Sequence, residues 1–234
     1  MARRIGLLVC GHVHPDAQDL GGDYPELFGE LFEPHGYEVV PFAAEDGVLP
    51  DSIDDCDAWL TSPSRASVTD DLPWIAGVSE FLVAAVRAER PVIGVCFGHQ
   101  LLAEALGGAV ERAAVGWGIG VKTYDVVSPK PWMTPALDRV NLVASHEDQV
   151  TVLPDGAELL LSAEYCPNAA YALGERCIAL QPHIEFSAAL SGRLMTLREA
   201  ITPAPIIAAA RATLTLPVDR VTVAGWFANF LDTV

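Results

Sequence analysis

Short apolar segments rich in β-branched residues alternate with segments of helical periodicity along the first half of the chain. The clearest helical segment begins at Pro73, where Trp74, Val78, Phe81 and Leu82 recur at the spacing of one helix face. Alternation of strands and helices is typical of α/β folds. We therefore predict a doubly wound, mostly parallel sheet with helices on both faces. The predicted strands in this part are residues 4–10, 37–42, 57–61 and 91–95, and the predicted helices are 25–34, 73–89 and 99–106.

The pattern becomes β-rich between residues 109 and 181, where proline and glycine clusters separate most of the apolar runs. Helical patterns return after Phe186, and the last one covers residues 219–231. No linker-like segment interrupts the chain, so we predict a single domain over residues 1–234. The predicted strands of this part are 121–127, 140–145, 157–162, 169–173 and 176–181.

Composition and charge exclude several classes of protein. Hydrophobic residues make up 51% of the 234 residues, which is enough for a sizeable core and too many for a disordered chain. The net charge of −17 repels phosphate backbones, so we expect no binding to nucleic acid. No apolar run reaches the length of a membrane span, and we expect a cytoplasmic protein without a membrane contact.

The five cysteines are scattered and form no C-x-x-C pair, which argues against both a disulfide framework and a zinc site. A pair of histidines near the first strand, His12 and His14, has no identifiable third ligand. We therefore expect neither a metal nor another cofactor.

One cysteine has a neighbourhood that packing alone does not require. Cys96 follows the apolar run 92–95 and precedes an apolar helix, with Gly94 and Gly98 two residues away on each side. This G-x-C-x-G spacing is typical of a strand–nucleophile–helix turn, in which side chains at the two flanking positions would clash. The N-terminus of the following helix favours a thiolate, because its N–H groups and dipole present positive charge. Cys96 is therefore the candidate nucleophile.

A cysteine nucleophile needs a base and a group that orients the base. His183 follows the predicted strand 176–181, and Glu185 comes two residues later. In extended backbone, residues i and i+2 point to the same side, so this carboxylate is placed to hold the imidazole. We predict Cys96, His183 and Glu185 as the three catalytic residues.

These motifs resemble those of the class I (triad) glutamine amidotransferase family, over about residues 5–187. Residues 94–100, GVCFGHQ, are similar to its G-x-C-x-G-x-Q motif, and residues 183–185, HIE, are similar to its H-x-E motif, where proline is more usual in the middle. Residues 145–150, SHEDQV, resemble a segment of the guanylate-synthetase type. The resemblance implies a flavodoxin-like sheet and a substrate contact from Gln100. It also makes Ser145 and His146 candidate substrate-binding residues.

The sequence departs from the family after the third strand, where a glycine-containing turn usually supplies one oxyanion-hole N–H. Residues 60–67, LTSPSRAS, contain no glycine. The N–H of Phe97 remains as one predicted donor, and the second comes from Ser62 or Ser64 but not from Pro63; we predict Ser62. The loss of one such donor costs roughly 10²–10³ in rate.

The leading hypothesis is hydrolysis of a γ-glutamyl amide through a cysteinyl γ-glutamyl thioester, with glutamine as the default substrate. We expect no synthetase domain in this chain, so a separate acceptor enzyme would receive the ammonia. One alternative is a stand-alone hydrolase of γ-glutamyl peptides or γ-glutamyl amines, which the resemblance to stand-alone relatives suggests. Another is a non-catalytic binding protein of the same fold, which the glycine-free turn suggests.

Overall fold

The computed structural model describes residues 2–234, so Met1, the first residue of the predicted domain, lies outside the described residues. Six α-helices and eleven strands are present in this part of the chain. The strands are β1 (Arg3–Leu8), β2 (Tyr37–Phe42), β3 (Ala58–Thr61), β4 (Val92–Val95), β5 (Ala109–Arg112), β6 (Gly118–Val126), β7 (Arg139–His146), β8 (Asp148–Val152), β9 (Ala157–Ala163), β10 (Cys166–Leu173) and β11 (Cys177–Leu180). The helices are α1 (Tyr24–Phe32), α2 (Pro73–Arg87), α3 (Phe97–Ala105), α4 (Ala188–Leu197), α5 (Ala204–Ala212) and α6 (Arg220–Thr233).

The central sheet has nine strands in the order β2-β1-β3-β4-β11-β10-β9-β6-β7. The first five strands in this order are parallel to one another. The remaining four are joined by antiparallel pairings, so that only β10 and β6 run against the common direction. The predicted α/β architecture with a mostly parallel sheet is confirmed.

Both faces of the parallel half are apolar because helices cover each of them. Leu7 belongs to the core that includes residues of α1 and α6, whereas the adjacent Leu8 belongs to the core that includes residues of α2 and α3. Successive strand residues point to opposite faces, and a strand covered on both faces is therefore apolar throughout. This explains the continuous apolar runs in the sequence.

Two short strands were missed by the sequence pattern. β5 and β8 form a separate two-stranded antiparallel sheet, in which Ala109 pairs with Val152. The two strands lie far apart in the chain, so local periodicity does not reveal that they pair. The predicted first strand, residues 4–10, also ends earlier than expected, at Leu8.

The antiparallel strands bring the edge strand β7 back toward the parallel half. The N–H of His183, which follows β11, donates to the carbonyl of Val143 in β7 at 2.8 Å. Strands that are distant in the sheet order therefore meet at the carboxyl ends of β4 and β11. This edge is where α/β folds place their ligands. None of the helices within residues 2–234 combines the length and the apolar character needed to cross a bilayer.

Candidate active site

Cys96 lies between the last residue of β4 and the first residue of α3, in an unusual backbone conformation. Its φ is 51° and its ψ is −96°, and its N–H donates to the carbonyl of Leu180 in β11 at 2.8 Å. A non-glycine residue in such a conformation costs about 1–3 kcal/mol. The surrounding packing maintains it, since Cys96 is only 6% exposed within the core.

The two flanking glycines are required by close contacts. A Cβ at Gly98 would lie 1.6 Å from the hydroxyl oxygen of Thr61 in β3. A Cβ at Gly94 would lie 2.6 Å from Leu102 and 2.7 Å from the carbonyl oxygen of Gly98. All three distances are shorter than real contacts of a Cβ atom, so α3 approaches the sheet this closely only with glycine at both positions.

His183 and Glu185 form a buried pair, as their spacing suggested. Nδ1 of His183 lies 2.6 Å from Oε1 of Glu185, and the glutamate is fully buried. The ring of Phe186 stacks on the imidazole, with 4.2 Å between ring centroids and an angle of 3° between the planes. The pair and the stacked ring together fix the orientation of the imidazole.

The charge state of His183 is set by opposing influences. Burial lowers the pKa of the imidazole, but the Glu185 carboxylate and then the electrostatic interaction with Cys96 raise that pKa above the ordinary histidine value. Nε2 of His183 neither donates nor accepts a hydrogen bond within residues 2–234. The imidazole therefore lies close enough to Cys96 for the two side chains to interact.

Gln181 is a site residue that the sequence analysis missed. It is fully buried, and its Nε2 donates to the sulfur of Cys96 at 3.6 Å. Its Oε1 accepts from Nε2 of Gln100 at 3.0 Å, and the same Gln100 nitrogen donates to the carbonyl of Asp148 at 2.7 Å. This chain of hydrogen bonds directs an amide donor at the sulfur.

The predicted substrate-binding residues lie close to this chain. Both hydrogen bonds of the Gln100 amide nitrogen are made to protein acceptors. The Ser145 hydroxyl accepts from Nη1 of Arg198 at 2.7 Å. His146 is buried, and its Nδ1 lies 3.2 Å from the carbonyl oxygen of Asp148. Their roles toward a substrate remain predictions.

Two buried histidines near the site are held neutral. Burial and the charge of His183 lower the pKa of His146 to about 4. Burial, followed by the charge of His146, lowers the pKa of His99 to about 3. Among the titratable side chains close to Cys96, His183 is thus the imidazole whose environment favours protonation.

The glycine-free turn differs from its prediction in one respect. The N–H of Ser62 donates to the carbonyl of Leu8 at 3.0 Å, and the Ser62 hydroxyl accepts from the N–H of Cys10 at 2.8 Å. Parallel pairing of β1 with β3 thereby occupies this N–H, and the choice of Ser62 as oxyanion donor is wrong. The N–H of Ser64 finds no acceptor within residues 2–234. Phe97 is the first residue of α3, which begins two residues earlier than predicted, and its role as an oxyanion donor stays a prediction.

All five cysteines are free thiols, and all are buried. Burial raises the pKa of the Cys166 thiol and of the Cys177 thiol to about 12 each, with the charge of Cys96 as a second cause at Cys166. It also raises the pKa values of Cys10 and Cys56. Within residues 2–234, no group of three or more histidine, cysteine or acidic side chains is arranged to hold a metal ion.

Comparison with known protein families defines the class of this protein. The family model for class-I glutamine amidotransferases matches residues 34–202, and the chain belongs to this family. Among its relatives, γ-glutamyl peptidase 3 of Arabidopsis thaliana is 28% identical over 174 residues, which are 71% of this chain and 70% of that protein. One subunit of the glutamine-hydrolysing GMP synthase of Methanoculleus marisnigri is 36% identical over 106 residues, covering 45% of this chain and 57% of that protein. The family resemblance predicted from the motifs is confirmed.

Solved structures support the same fold. A glutamine amidotransferase from Thermotoga maritima superposes with a TM-score of 0.75 at 19% identity, covering 100% of this chain and 98% of its own. A second, from Methylobacillus flagellatus, has a TM-score of 0.75 at 23% identity and covers 100% of this chain and 94% of its own. At such identities the likeness concerns the fold alone. What the site does must come from its own residues.

Proposed function

We propose that this protein hydrolyses γ-glutamyl amides through a covalent intermediate on Cys96. The observation that carries the proposal is the placement of Cys96 in a strained turn beside the buried pair of His183 and Glu185. A thiol nucleophile, an imidazole and an orienting carboxylate together are the requirement for acyl transfer.

The proposed reaction has two stages. The Cys96 thiolate attacks the γ-carbonyl carbon and forms a C–S bond, and His183 gives its proton to the leaving amine as the C–N bond breaks. Water then loses a proton to His183 and attacks the thioester, which releases glutamate and restores the thiolate. Glu185 stays ionised and stabilises the imidazolium.

We assign the oxyanion hole to the N–H groups of Phe97 and Ser64. The Phe97 N–H belongs to the first turn of α3, where N–H groups lack helical acceptors. The Ser64 N–H lies in the turn after β3 and has no acceptor among the described residues, unlike the N–H of Ser62. A pair of backbone donors would stabilise the negative charge that develops on the carbonyl oxygen.

A second candidate function is the supply of ammonia to a separate synthetase. The likeness to one part of a GMP synthase favours it, because the name of that relative describes a glutamine-hydrolysing enzyme built from more than one chain. In this case the chain would hydrolyse glutamine only when its partner is bound. A stand-alone hydrolase would release glutamate without any partner.

The setting of the reaction is also part of the proposal. The strands of the nine-stranded sheet come from the whole stretch between Arg3 and Leu180, which supports a single domain over residues 1–234. Five free thiols suit a reducing compartment, which supports a cytoplasmic location. The net charge of −17 supports a small-molecule substrate rather than a nucleic acid.

The test combines a trapping experiment with a substrate screen. Intact-protein mass spectrometry after incubation with a glutamine-mimicking electrophile should show one adduct, located on the peptide that contains Cys96. Glutamate release should be measured with glutamine, γ-glutamyl dipeptides and γ-glutamyl amines, with Cys96→Ala as the blank. An adduct at another residue, or equal release by wild type and Cys96→Ala, would refute the proposal.

A further inference from the structure

Arg198 lies at the end of α4 and reaches toward the candidate active site. Its Nη1 donates to the Ser145 hydroxyl at 2.7 Å, and its guanidinium carbon lies 5.3 Å from the centroid of the Trp117 ring. The side chain is half-buried. One hydroxyl and one aromatic face position the guanidinium, but they use few of its five N–H donors.

No carboxylate within residues 2–234 forms an ion pair with Arg198, although other arginines of the surrounding helices have one. Glu199, its neighbour in sequence, pairs with Arg211 at 2.6 Å. Arg193 in the same helix pairs with Asp19 at 3.1 Å. A half-buried cation without a counter-charge is costly, and acidic residues outnumber basic residues 31 to 14 in this chain. The unpaired guanidinium therefore points to an anion from outside the chain.

The charges around Arg198 connect it to Cys96. Burial lowers the pKa of the guanidinium, electrostatic interactions with Tyr24 and Cys96 partly oppose this, and Arg65 lowers the pKa further. Arg65 is exposed, lies in the turn after β3 and has no ion pair among the described residues. Arg65 thus adds to the positive charge that acts on Arg198, and an anionic group would offset it.

A small pocket lies beside Arg198, on the His183 side of the site. Ser145, Phe186 and the apolar side chains Leu194 and Met195 of α4 line it together with Arg198. Phe186 is the ring that stacks on the imidazole of His183. In the proposed reaction the leaving nitrogen must lie next to this imidazole to receive its proton. The pocket therefore borders the side of the site from which the leaving amine departs.

We propose that Arg198 binds a carboxylate on the leaving amine, so that the substrate is a γ-glutamyl amino acid or peptide rather than glutamine. This inference rests on the proposed function, since the proposed reaction defines the leaving-group side. The fork of a guanidinium pairs with a carboxylate through two hydrogen bonds, which fixes both position and orientation. Glutamine has ammonia as its leaving group and cannot make this contact.

The test measures binding apart from turnover, in the Cys96→Ala background. Two ligands are compared by calorimetry: γ-glutamylglycine, and γ-glutamylglycinamide, which lacks only the leaving-group carboxylate. Arg198→Met keeps the apolar length of the side chain over Trp117, and Arg198→Lys keeps a charge without the fork. Arg193→Met is the matched control on the same helix. Circular dichroism and thermal melting check that each variant is folded.

Arg198→Met should weaken the binding of γ-glutamylglycine about 10- to 100-fold. It should leave the binding of γ-glutamylglycinamide unchanged, and Arg198→Lys should fall between wild type and Arg198→Met. Arg193→Met should bind both ligands as the parent does. Equal weakening for both ligands, or weakening for neither, would overturn the assignment.

The proposed function can fail independently of this inference. Binding that depends on Arg198 without any glutamate release by the wild-type chain would refute the hydrolysis and leave the carboxylate contact standing. Glutamate release with no dependence of binding on Arg198 would refute the contact alone. If folded Arg198→Met and Arg198→Lys both bind γ-glutamylglycine like the parent, the inference is wrong whatever the enzyme hydrolyses.

Discussion

Cys10 and Cys96 occupy comparable places in the fold but have opposite hydrogen-bond surroundings. Each follows a parallel strand of the same sheet, Cys10 after β1 and Cys96 after β4. The Cys10 thiol donates to the carbonyl of Leu8 at 3.4 Å, which requires its proton. The Cys96 sulfur instead accepts from the amide of Gln181 at 3.6 Å. The Cys10 proton is thus engaged by a backbone carbonyl, whereas the Cys96 sulfur faces a hydrogen-bond donor.

The charged groups near the two sulfurs also differ. Burial raises the pKa of the Cys10 thiol, and the negative charge of Glu45 raises it further. Cys96 instead lies at the N-terminus of α3 and near His183. Residue type and position at the sheet edge therefore do not make a nucleophile, and the partners of the sulfur decide its chemistry.

The largest effect is expected when Cys96 and Cys10 are replaced by alanine one at a time. Cys96→Ala should abolish glutamate release from every γ-glutamyl compound, because no other side chain at the site can form the thioester. Cys10→Ala should retain the kcat/KM of wild type, since its thiol contacts only backbone and core atoms. Steady-state glutamate release by both variants gives the answer. Loss of activity in Cys10→Ala with unchanged melting temperature would mean that the comparison is wrong.

A smaller loss of activity is expected when His183, the proposed base beside Cys96, is replaced. His183→Ala should lower kcat about 10²- to 10⁴-fold, the usual contribution of a general acid–base. Glu185→Gln should be milder, because Glu185 orients the imidazole without reacting itself. Since the Glu185 charge raises the pKa of His183, its removal lowers that pKa. The basic limb of the kcat/KM profile, where His183 loses its proton, should therefore move to lower pH in Glu185→Gln. An unmoved limb would contradict the role of His183 as the proton donor.

The smallest effect concerns the hydrogen bond from Gln181. Gln181→Met removes the amide donor to the Cys96 sulfur, so the rate of alkylation of Cys96 by iodoacetamide at a fixed pH should fall by roughly 3- to 10-fold, the value of one hydrogen bond. The matched control is Gln149→Met, which removes another buried amide, one that donates to the carbonyl of Tyr165 at 2.8 Å. Its alkylation rate should equal that of wild type. Equal changes of the rate in the two variants would assign the effect to general loosening of the core.

The parts of the site that the sequence predicted are those fixed by local geometry. The turn at Cys96 follows from steric limits at Gly94 and Gly98, which flank it closely in the chain. The contact between His183 and Glu185 follows from their i, i+2 spacing. Alternating strand and helix patterns likewise predicted the parallel half of the sheet, because each unit buries its own apolar face.

The parts that the sequence missed depend on strand register. Leu180 in β11 pairs with Val95 in β4, and this register places the residues that follow the two strands, Gln181 and Cys96, beside each other. The pairing of Leu8 with Thr61 likewise directs the N–H of Ser62 to the Leu8 carbonyl rather than to a substrate. Neither register is evident from the sequence, since apolar parallel strands can pair at several offsets.

The burial of the other four thiols gives a practical way to count working enzyme molecules. Their pKa values are all raised, by burial first, so they stay protonated near neutral pH while Cys96 has partners that favour its reaction. A thiol-directed reagent should then be consumed in a one-to-one ratio with intact sites. The molar concentration of competent protein in any preparation would follow from that stoichiometry, before its natural substrate is known.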